Sequence, residues 1–313
     1  MTALSPDSGR VQDAPSSSFV YRRLPRPLWP YAQLARWDRP IGWQLLLWPC
    51  WWSVALAAVA AKTADPGRVL WHLVLFFVGS VAMRGAGCTY NDLVDQEIDM
   101  AVARTRSRPL PSGRVSRSSA KIFLVLQALV GLAVLLQFNG FSIVLCLASL
   151  AVVAVYPFAK RVTDWPQLVL GLAFSWGALM GWSAAFGALA VAPVLLYLAA
   201  VVWTIGYDTI YAYQDREDDA LVGVRSTARR FGDRPGPWLV GLYGLAGLLL
   251  AAALVAAGAG LSAYLGLAVA SVLLAYQILV LDIHDPRACL ALFRMNNTVG
   301  LVIFLGLIAD LLV

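Results

Sequence analysis

Two short stretches concentrate carboxylates in a chain that is only 13% charged. The first, NDLVDQEID, runs from Asn91 to Asp99. On a helix, Asn91, Asp95 and Asp99 share one face at i, i+4 and i+8, with Asp92 beside them. The second, YDTIYAYQDREDD, runs from Tyr207 to Asp219. It brings Asp208, Tyr211, Asp215 and Asp219 near one helical face, with Asp218 as their neighbour. Like charges one turn apart repel, so each cluster costs stability unless a cation neutralises it. Oxygen donors on two facing helices suit Mg2+, which keeps part of its water and bridges carboxylates to phosphates. Arginines that follow each cluster suit phosphate oxygens. Acids for a metal, arginines for phosphate and apolar surroundings describe a diphosphate with a lipid tail. Spacing alone leaves a second reading open, in which each acidic helix end is a solvated face paired with nearby arginines.

The elements that must carry these clusters are legible from hydropathy. Of 313 residues, 60% are hydrophobic and twelve are tryptophan, and the mean hydropathy is +0.70. Apolar runs of about 18 to 22 residues recur, the length that crosses a bilayer's hydrocarbon core. The chain therefore reads as an all-α polytopic membrane protein, since each span must satisfy its own backbone hydrogen bonds. Nine spans are expected, at 41–61, 69–90, 119–137, 140–158, 168–187, 190–213, 237–258, 261–281 and 295–313.

Basic residues alternate between successive loops. They are dense before span one (Arg22, Arg23, Arg26, Arg36, Arg39), after span two (Arg104 to Lys121), after span four (Lys160, Arg161), after span six (Arg216 to Arg234) and after span eight (Arg287, Arg294). That pattern puts the N-terminus inside and the C-terminus outside. Both acidic clusters then leave parallel spans on the cytoplasmic face, a weak internal repeat of apolar span, acidic exit and arginine-rich loop.

Other positions narrow the chemistry. Arg84 lies within span two, where a charge has to face a polar cavity or snorkel to the surface. Tyr156, Lys160 and Arg161 end span four, and Arg36 and Arg39 precede span one, where anchoring is the default role. The net charge of +6 sits in short loops, which fits topology and anionic lipid rather than nucleic acid. Cys50, Cys88, Cys146 and Cys289 are scattered without metal-ligand spacing, and read as buried apolar residues. Residues 1–18 are polar and rich in Pro and Ser, and read as a disordered tail ahead of one domain at 19–313. Arginine far exceeds lysine and alanine is abundant, pointing to a bacterial inner membrane; Asp7 and Asp13 speak against a mitochondrial presequence. A transporter would place its polar residues near mid-bilayer, and a CDP-alcohol phosphotransferase needs a DGxxAR pattern that is absent.

The residues resemble those of UbiA-type intramembrane aromatic prenyltransferases from about residue 36 to the C-terminus. NDLVDQEID is similar to that family's NDxxDxxxD motif, and DTIYAYQDREDD with GVRST (Gly223 to Thr227) to its second aspartate motif. RPIGWQLLLWP (Arg39 to Pro49), MRGAGCTYND (Met83 to Asp92), RPLPSG (Arg108 to Gly113) and YPFAKRVTDWPQ (Tyr156 to Gln167) add to the likeness. The resemblance implies nine helices around a central cavity and Mg2+ held by Asn91, Asp95 and Asp99 on one side and Asp215 and Asp219 on the other. Asp92 and Asp218 would support the metal positions closely. Arg84, Tyr156 and Lys160 would hold the diphosphate, and Arg36 and Arg161 the carboxylate of an aromatic acid. Asp208 or a neighbouring acid would assist loss of a ring proton. The implied substrates are a polyprenyl diphosphate and 4-hydroxybenzoate, in a membrane step of ubiquinone biosynthesis; a naphthoate, homogentisate, haem or chlorophyllide acceptor is the alternative within the family. No protein partner is implied.

Overall fold

The structure, a computed structural model, describes residues 9–11, 17–62, 65–101, 105–217 and 223–313. Among these, nine helices are long and apolar enough to cross a membrane, and no strand occurs. The protein is an integral, multi-pass membrane protein. Its lipid-facing surface explains the composition: Leu248, Leu261 and Leu279 are among many large apolar side chains left exposed, which water would penalise and hydrocarbon does not.

The helices are α1 (Phe19–Arg23), α2 (Trp29–Leu34), α3 (Ile41–Ala61), α4 (Pro66–Val94), α5 (Gln96–Ala101), α6 (Arg117–Leu135) and α7 (Gly140–Val162). They continue as α8 (Pro166–Phe174), α9 (Gly177–Phe186), α10 (Val191–Ala212), α11 (Thr227–Phe231), α12 (Gly236–Ala257), α13 (Leu261–Val280) and α14 (Pro286–Asp310). By contact density the chain forms two compact units, Met1–Gln44 with Phe77–Leu135, and Leu45–Phe76 with Leu136–Val313.

In the first unit, Leu34 of α2, Leu93 of α4, Leu110 and Val115 of the following loop and Ala120 of α6 form one core cluster. Val20, Tyr21, Trp29 and Ala32 form a second. The tail expected at 1–18 is in part packed. Val11 is buried, and the Gly9 carbonyl accepts hydrogen bonds from Gln33 Nε2 at 2.8 Å and Arg114 Nη1 at 2.7 Å. Disorder is therefore the wrong description of 9–11; polar composition missed it because long-range side chains, not local propensity, hold this stretch. The rest of the expected tail, 1–8 and 12–16, lies outside the described residues, and Ser17 and Ser18 lead into α1, where the Ser18 hydroxyl caps the helix.

The second unit is organised by polar contacts inside an apolar bundle. Asn296 of α14 is fully buried; its Oδ1 accepts from Trp203 Nε1 of α10 at 2.9 Å, and its Nδ2 donates to Gln277 Oε1 of α13 at 3.2 Å. Tyr243 of α12 donates to the same Gln277 oxygen at 3.3 Å, so four spans share one network. This explains a departure from the expected boundaries. The last span begins at Pro286 rather than 295, because Arg287, Arg294 and Asn296 depress local hydropathy while sitting on a helix capped by Asp285. Where α13 and α14 cross, a methyl group on Gly266 would meet Gly306 Cα at 2.9 Å, a close approach that only small residues allow.

Span five is not one helix. It breaks after Phe174 and resumes at Gly177, and the resumed segment is fastened to α3. Ser53 Oγ donates to the Ala178 carbonyl at 2.5 Å and accepts from the Trp182 N–H at 2.8 Å. A Cβ on Gly181 would lie 2.6 Å from the Val54 nitrogen, so α3 and α9 pack backbone to backbone there.

Replacing Asn296 by Leu strands the buried Trp203 N–H and one lone pair of Gln277. The expected outcome is a loss of about 1–2 kcal/mol, read as a lower midpoint of thermal unfolding in detergent. An unchanged midpoint would show that the network does not hold the four spans.

Candidate functional site

The first acidic segment follows from α4 running on to Val94, past the apolar stretch that ends near residue 90. Asp95 interrupts the helix, but the hydrogen-bond register survives the bend. The Asp95 N–H donates to the Asn91 carbonyl and the Asp99 N–H to the Asp95 carbonyl, both at 2.8 Å. Asn91, Asp95 and Asp99 thus keep the one-face spacing expected of them. Asp92, Asp95 and Asp99 are all buried, Asp92 completely.

Removing carboxylates from water costs several kcal/mol per ion unless cations meet them. Two arginines do so. Arg36 Nη2 contacts Asp92 Oδ1 at 2.6 Å, and Arg108 Nη1 lies 3.0 Å from Asp99 Oδ2 and 3.5 Å from Asp92 Oδ1. Burial pushes the Asp99 carboxyl up, and the Arg108 guanidinium opposes that push. Arg36 sits just past the end of α2 with a left-handed φ of 58°, a conformation that costs a non-glycine residue about 1 kcal/mol. Its guanidinium is held by Asp92 and by the Gln33 carbonyl at 2.7 Å. Arg36, expected to meet an aromatic carboxylate, is thus paired with Asp92 in this structure.

Arg108 belongs to this site although only its membership of RPLPSG marked it in the sequence. It opens a turn that runs on through Pro109 and Pro111 to Gly113, whose φ is 73°, and its guanidinium reaches both acids. Arg114 of the same loop donates to Gln33 Oε1 at 2.9 Å, and burial lowers its pKa from the usual arginine range. Arg84 lies on α4, half-buried. Gly42 of the RPIG stretch lies against it: a Cβ there would stand 2.6 Å from Arg84 Nε. A bare backbone at residue 42 leaves room for this guanidinium.

The second acidic segment lies in the other unit. Asp208 is half-buried on α10. The helix then tightens into a 3-10 turn at Tyr213–Asp215. With about three residues per turn, Asp215 is rotated from the position that an unbroken α-helix would give it, so the expected common face is not kept as drawn. The Tyr213 hydroxyl donates to the Gly232 carbonyl at 2.7 Å, and Arg216 pairs with Asp233 at 2.7 Å, fastening this exit to the loop before α12. Arg216 also holds the Asp233 carboxyl below its ordinary pKa, chiefly by hydrogen bonding. Asp218 and Asp219 lie outside the described residues, as does Arg104.

Tyr156 and Lys160 are half-buried one turn apart on α7, whereas Arg161 is exposed and its guanidinium lies 5.7 Å from the Phe158 ring centre. The structure thus gives Arg161 a different direction from Tyr156 and Lys160. The GVRST stretch positions this helix end. The Arg225 N–H donates to the Lys160 carbonyl at 3.0 Å. The Thr227 N–H donates to Gln167 Oε1 at 3.0 Å, and Thr227 and Thr209 share a 2.6 Å hydroxyl hydrogen bond.

The donor set fits a hard dication in its chemistry: Asn91, Asp92, Asp95 and Asp99 offer only oxygen, and Asp92 Oδ2 is buried with no hydrogen-bond partner among the described residues. Among those residues no group of three or more His, Cys, Asp or Glu side chains converges closely enough to hold a metal.

Breaking the buried pair by Arg36→Ala is expected to lower stability by on the order of 3 kcal/mol, measured by thermal unfolding in detergent. Replacing both partners at once, Arg36→Met with Asp92→Leu, is expected to recover much of that loss. A single variant as stable as the parent would show that Asp92 is satisfied without Arg36.

Comparison with known proteins supplies independent findings. A family model described as the UbiA prenyltransferase family matches residues 46–299. The "4-hydroxybenzoate polyprenyltransferase, mitochondrial" of Aedes aegypti is 50% identical over 281 residues, covering 89% of this chain and 63% of that protein. The chain thus spans under two thirds of that relative's length. The human protein of the same name is 46% identical over 297 residues, covering 94% of this chain and 78% of its own. Among solved structures, a UbiA homolog from Aeropyrum pernix K1 in its apo form has a TM-score of 0.69 at 24% identity, over 85% of this chain and 97% of that one. A UbiA homolog from Archaeoglobus fulgidus bound to GPP and Mg2+ has a TM-score of 0.59 at 20% identity, over 91% of this chain and 100% of that one. These structural likenesses establish a shared fold.

Proposed function

The chain belongs to the UbiA prenyltransferase family, and from that membership we propose that it transfers a polyprenyl group from a polyprenyl diphosphate to 4-hydroxybenzoate, at the ring carbon ortho to the hydroxyl. The observation that carries the acceptor is the 46% identity to a protein named for this reaction, over 94% of the chain. A match of that extent necessarily includes both acidic segments. The two compact units together form the catalytic domain, with the N-terminus and both acidic segments on the cytoplasmic or matrix side.

Mg2+ would be held by Asn91, Asp95 and Asp99 together with Asp215 and Asp219, with Asp92 and Asp218 in support. Bound there, it supplies positive charge to a departing diphosphate. Arg84, Tyr156 and Lys160 bind and orient the diphosphate oxygens through charge-assisted hydrogen bonds. The allylic C–O bond breaks with its electron pair leaving on the diphosphate. The ring carbon then forms the new C–C bond, and the ring loses a proton to Asp208 or a neighbouring acid. An allylic cation meeting water would be hydrolysed, so apolar walls within the membrane are part of the chemistry. Arg36 and Arg108 act differently: they pair with Asp92 and Asp99 and hold those side chains in place. Arg36 and Arg161 are the candidates for the acid's carboxylate.

The compartment follows the relatives in part. The bacterial inner membrane expected from a composition rich in arginine and alanine is not favoured by the relatives named above, which are mitochondrial. An inner membrane of one of these two kinds is the proposed location.

Asp95→Ala is expected to lower prenyl transfer in isolated membranes at least about a hundredfold with expression unchanged. Removing divalent metal from the parent protein is expected to abolish transfer, and Mg2+ to restore it. Activity that survives chelation would sink the metal assignment. Preference for a naphthoate or homogentisate over 4-hydroxybenzoate in direct competition would sink the acceptor.

A further inference from the structure

A second charged recess lies within the second unit, where α7 ends and α8 and α11 begin. It has a volume of about 500 Å³ and is lined by Asp164, Gly223, Arg225, Arg229 and Arg230. Among the described residues its lining holds three arginines and one aspartate, a net charge of +2. The internal pairing is loose. Asp164 is 3.9 Å from Arg225 and 3.7 Å from Arg230, with all three side chains about half exposed. Pairs of that geometry and exposure are worth little, so the guanidinium charges are available to an anion.

The recess is also built. Arg225 Nη1 donates to the Val162 carbonyl at 3.0 Å, and the Arg229 guanidinium donates to the Val224 carbonyl. Ser226 caps α11 through the Arg229 N–H at 3.3 Å. The Arg230 guanidinium lies 5.6 Å from the Trp165 ring centre. Trp165 in turn packs edge-on against Phe231 at 5.7 Å, and Phe231 stacks on Trp238 at 4.6 Å.

Indole rings beside guanidinium groups mark the membrane–water boundary. On the membrane side of this cluster the surface is apolar: Phe158, Val162, Leu168 and Trp238 are all exposed. A bare phosphate would use the charge and leave these faces unexplained. A phospholipid would use both, with its headgroup among the arginines and its chains along α7, α8 and α12. Basic pockets between membrane helices take such headgroups.

We propose that this recess binds an anionic phospholipid, and that the net charge of +2 on its described lining residues selects a headgroup carrying two phosphodiesters. The site uses none of the residues assigned to the prenyl-transfer reaction, and its test does not depend on that activity.

The protein reconstituted in nanodiscs of phosphatidylcholine doped with cardiolipin, or with phosphatidylglycerol, is released and its retained lipid counted by native mass spectrometry. Cardiolipin is expected to be retained over phosphatidylglycerol, and both over phosphatidylcholine. Arg230→Gln is expected to lower cardiolipin retention on the order of fivefold, and Arg229→Gln with Arg230→Gln on the order of 25-fold. Asp164→Asn removes the opposing charge and is expected to raise retention, a gain that a misfolded variant does not give. Retention of cardiolipin unchanged in the double variant overturns the proposal. So does displacement by inorganic phosphate or diphosphate at concentrations matched to the headgroup, which would make the recess a site for free phosphate. Equal retention of cardiolipin and phosphatidylglycerol overturns the two-phosphate selection.

Discussion

One buried carboxylate organises the first unit. Asp92 has no exposure to solvent, and a carboxylate so buried needs the cations that Arg36 and Arg108 bring to it from opposite directions in the sequence. That requirement propagates outward. Arg36 accepts a left-handed backbone to make the contact. Arg108 reaches it from the loop between α5 and α6. Arg114 on the same loop, with Gln33, holds Gly9 of the N-terminal segment. A charge that cannot be hydrated therefore dictates the placement of three otherwise separate pieces of chain. It also ties down the end of α4, which carries Asn91 and leads into Asp95 and Asp99.

The second unit solves a related problem with neutral groups. Asn296 and Gln277 supply directional hydrogen bonds to Trp203 and Tyr243 in an interior where hydrophobic contact alone does not discriminate between packings. Spans thus gain a register that apolar side chains would leave loose. The same unit ends α10 with a tightened turn and ties it to residues 232 and 233.

The comparison with expectation is instructive at particular residues. Hydropathy located all nine spans among the described residues, because crossing a bilayer needs a long apolar run and nothing else has that signature. It misplaced the start of the last span by nine residues, 286 against 295, because Arg287, Arg294 and Asn296 are polar residues on a helix that buries some of them. It missed the break in span five, after which the resumed helix is fastened to Ser53 on another helix. Helical spacing held for Asn91, Asp95 and Asp99, but not for Asp215, where the 3-10 turn intervenes.

What the sequence determined by itself was local: a membrane protein of nine spans, carboxylates gathered at two helix exits, and motifs that mark a family. These follow from sums over neighbouring residues, and neighbours in sequence are neighbours on a helix. Which guanidinium meets which carboxylate was decided only by the tertiary structure. Arg36 and Asp92 are 56 residues apart, and a pair energy that depends on ångström separations and on the exclusion of water has no trace in local pattern. The sequence offered Arg36 as a receptor for an acid; packing made it the counter-ion of one that the chain already carries.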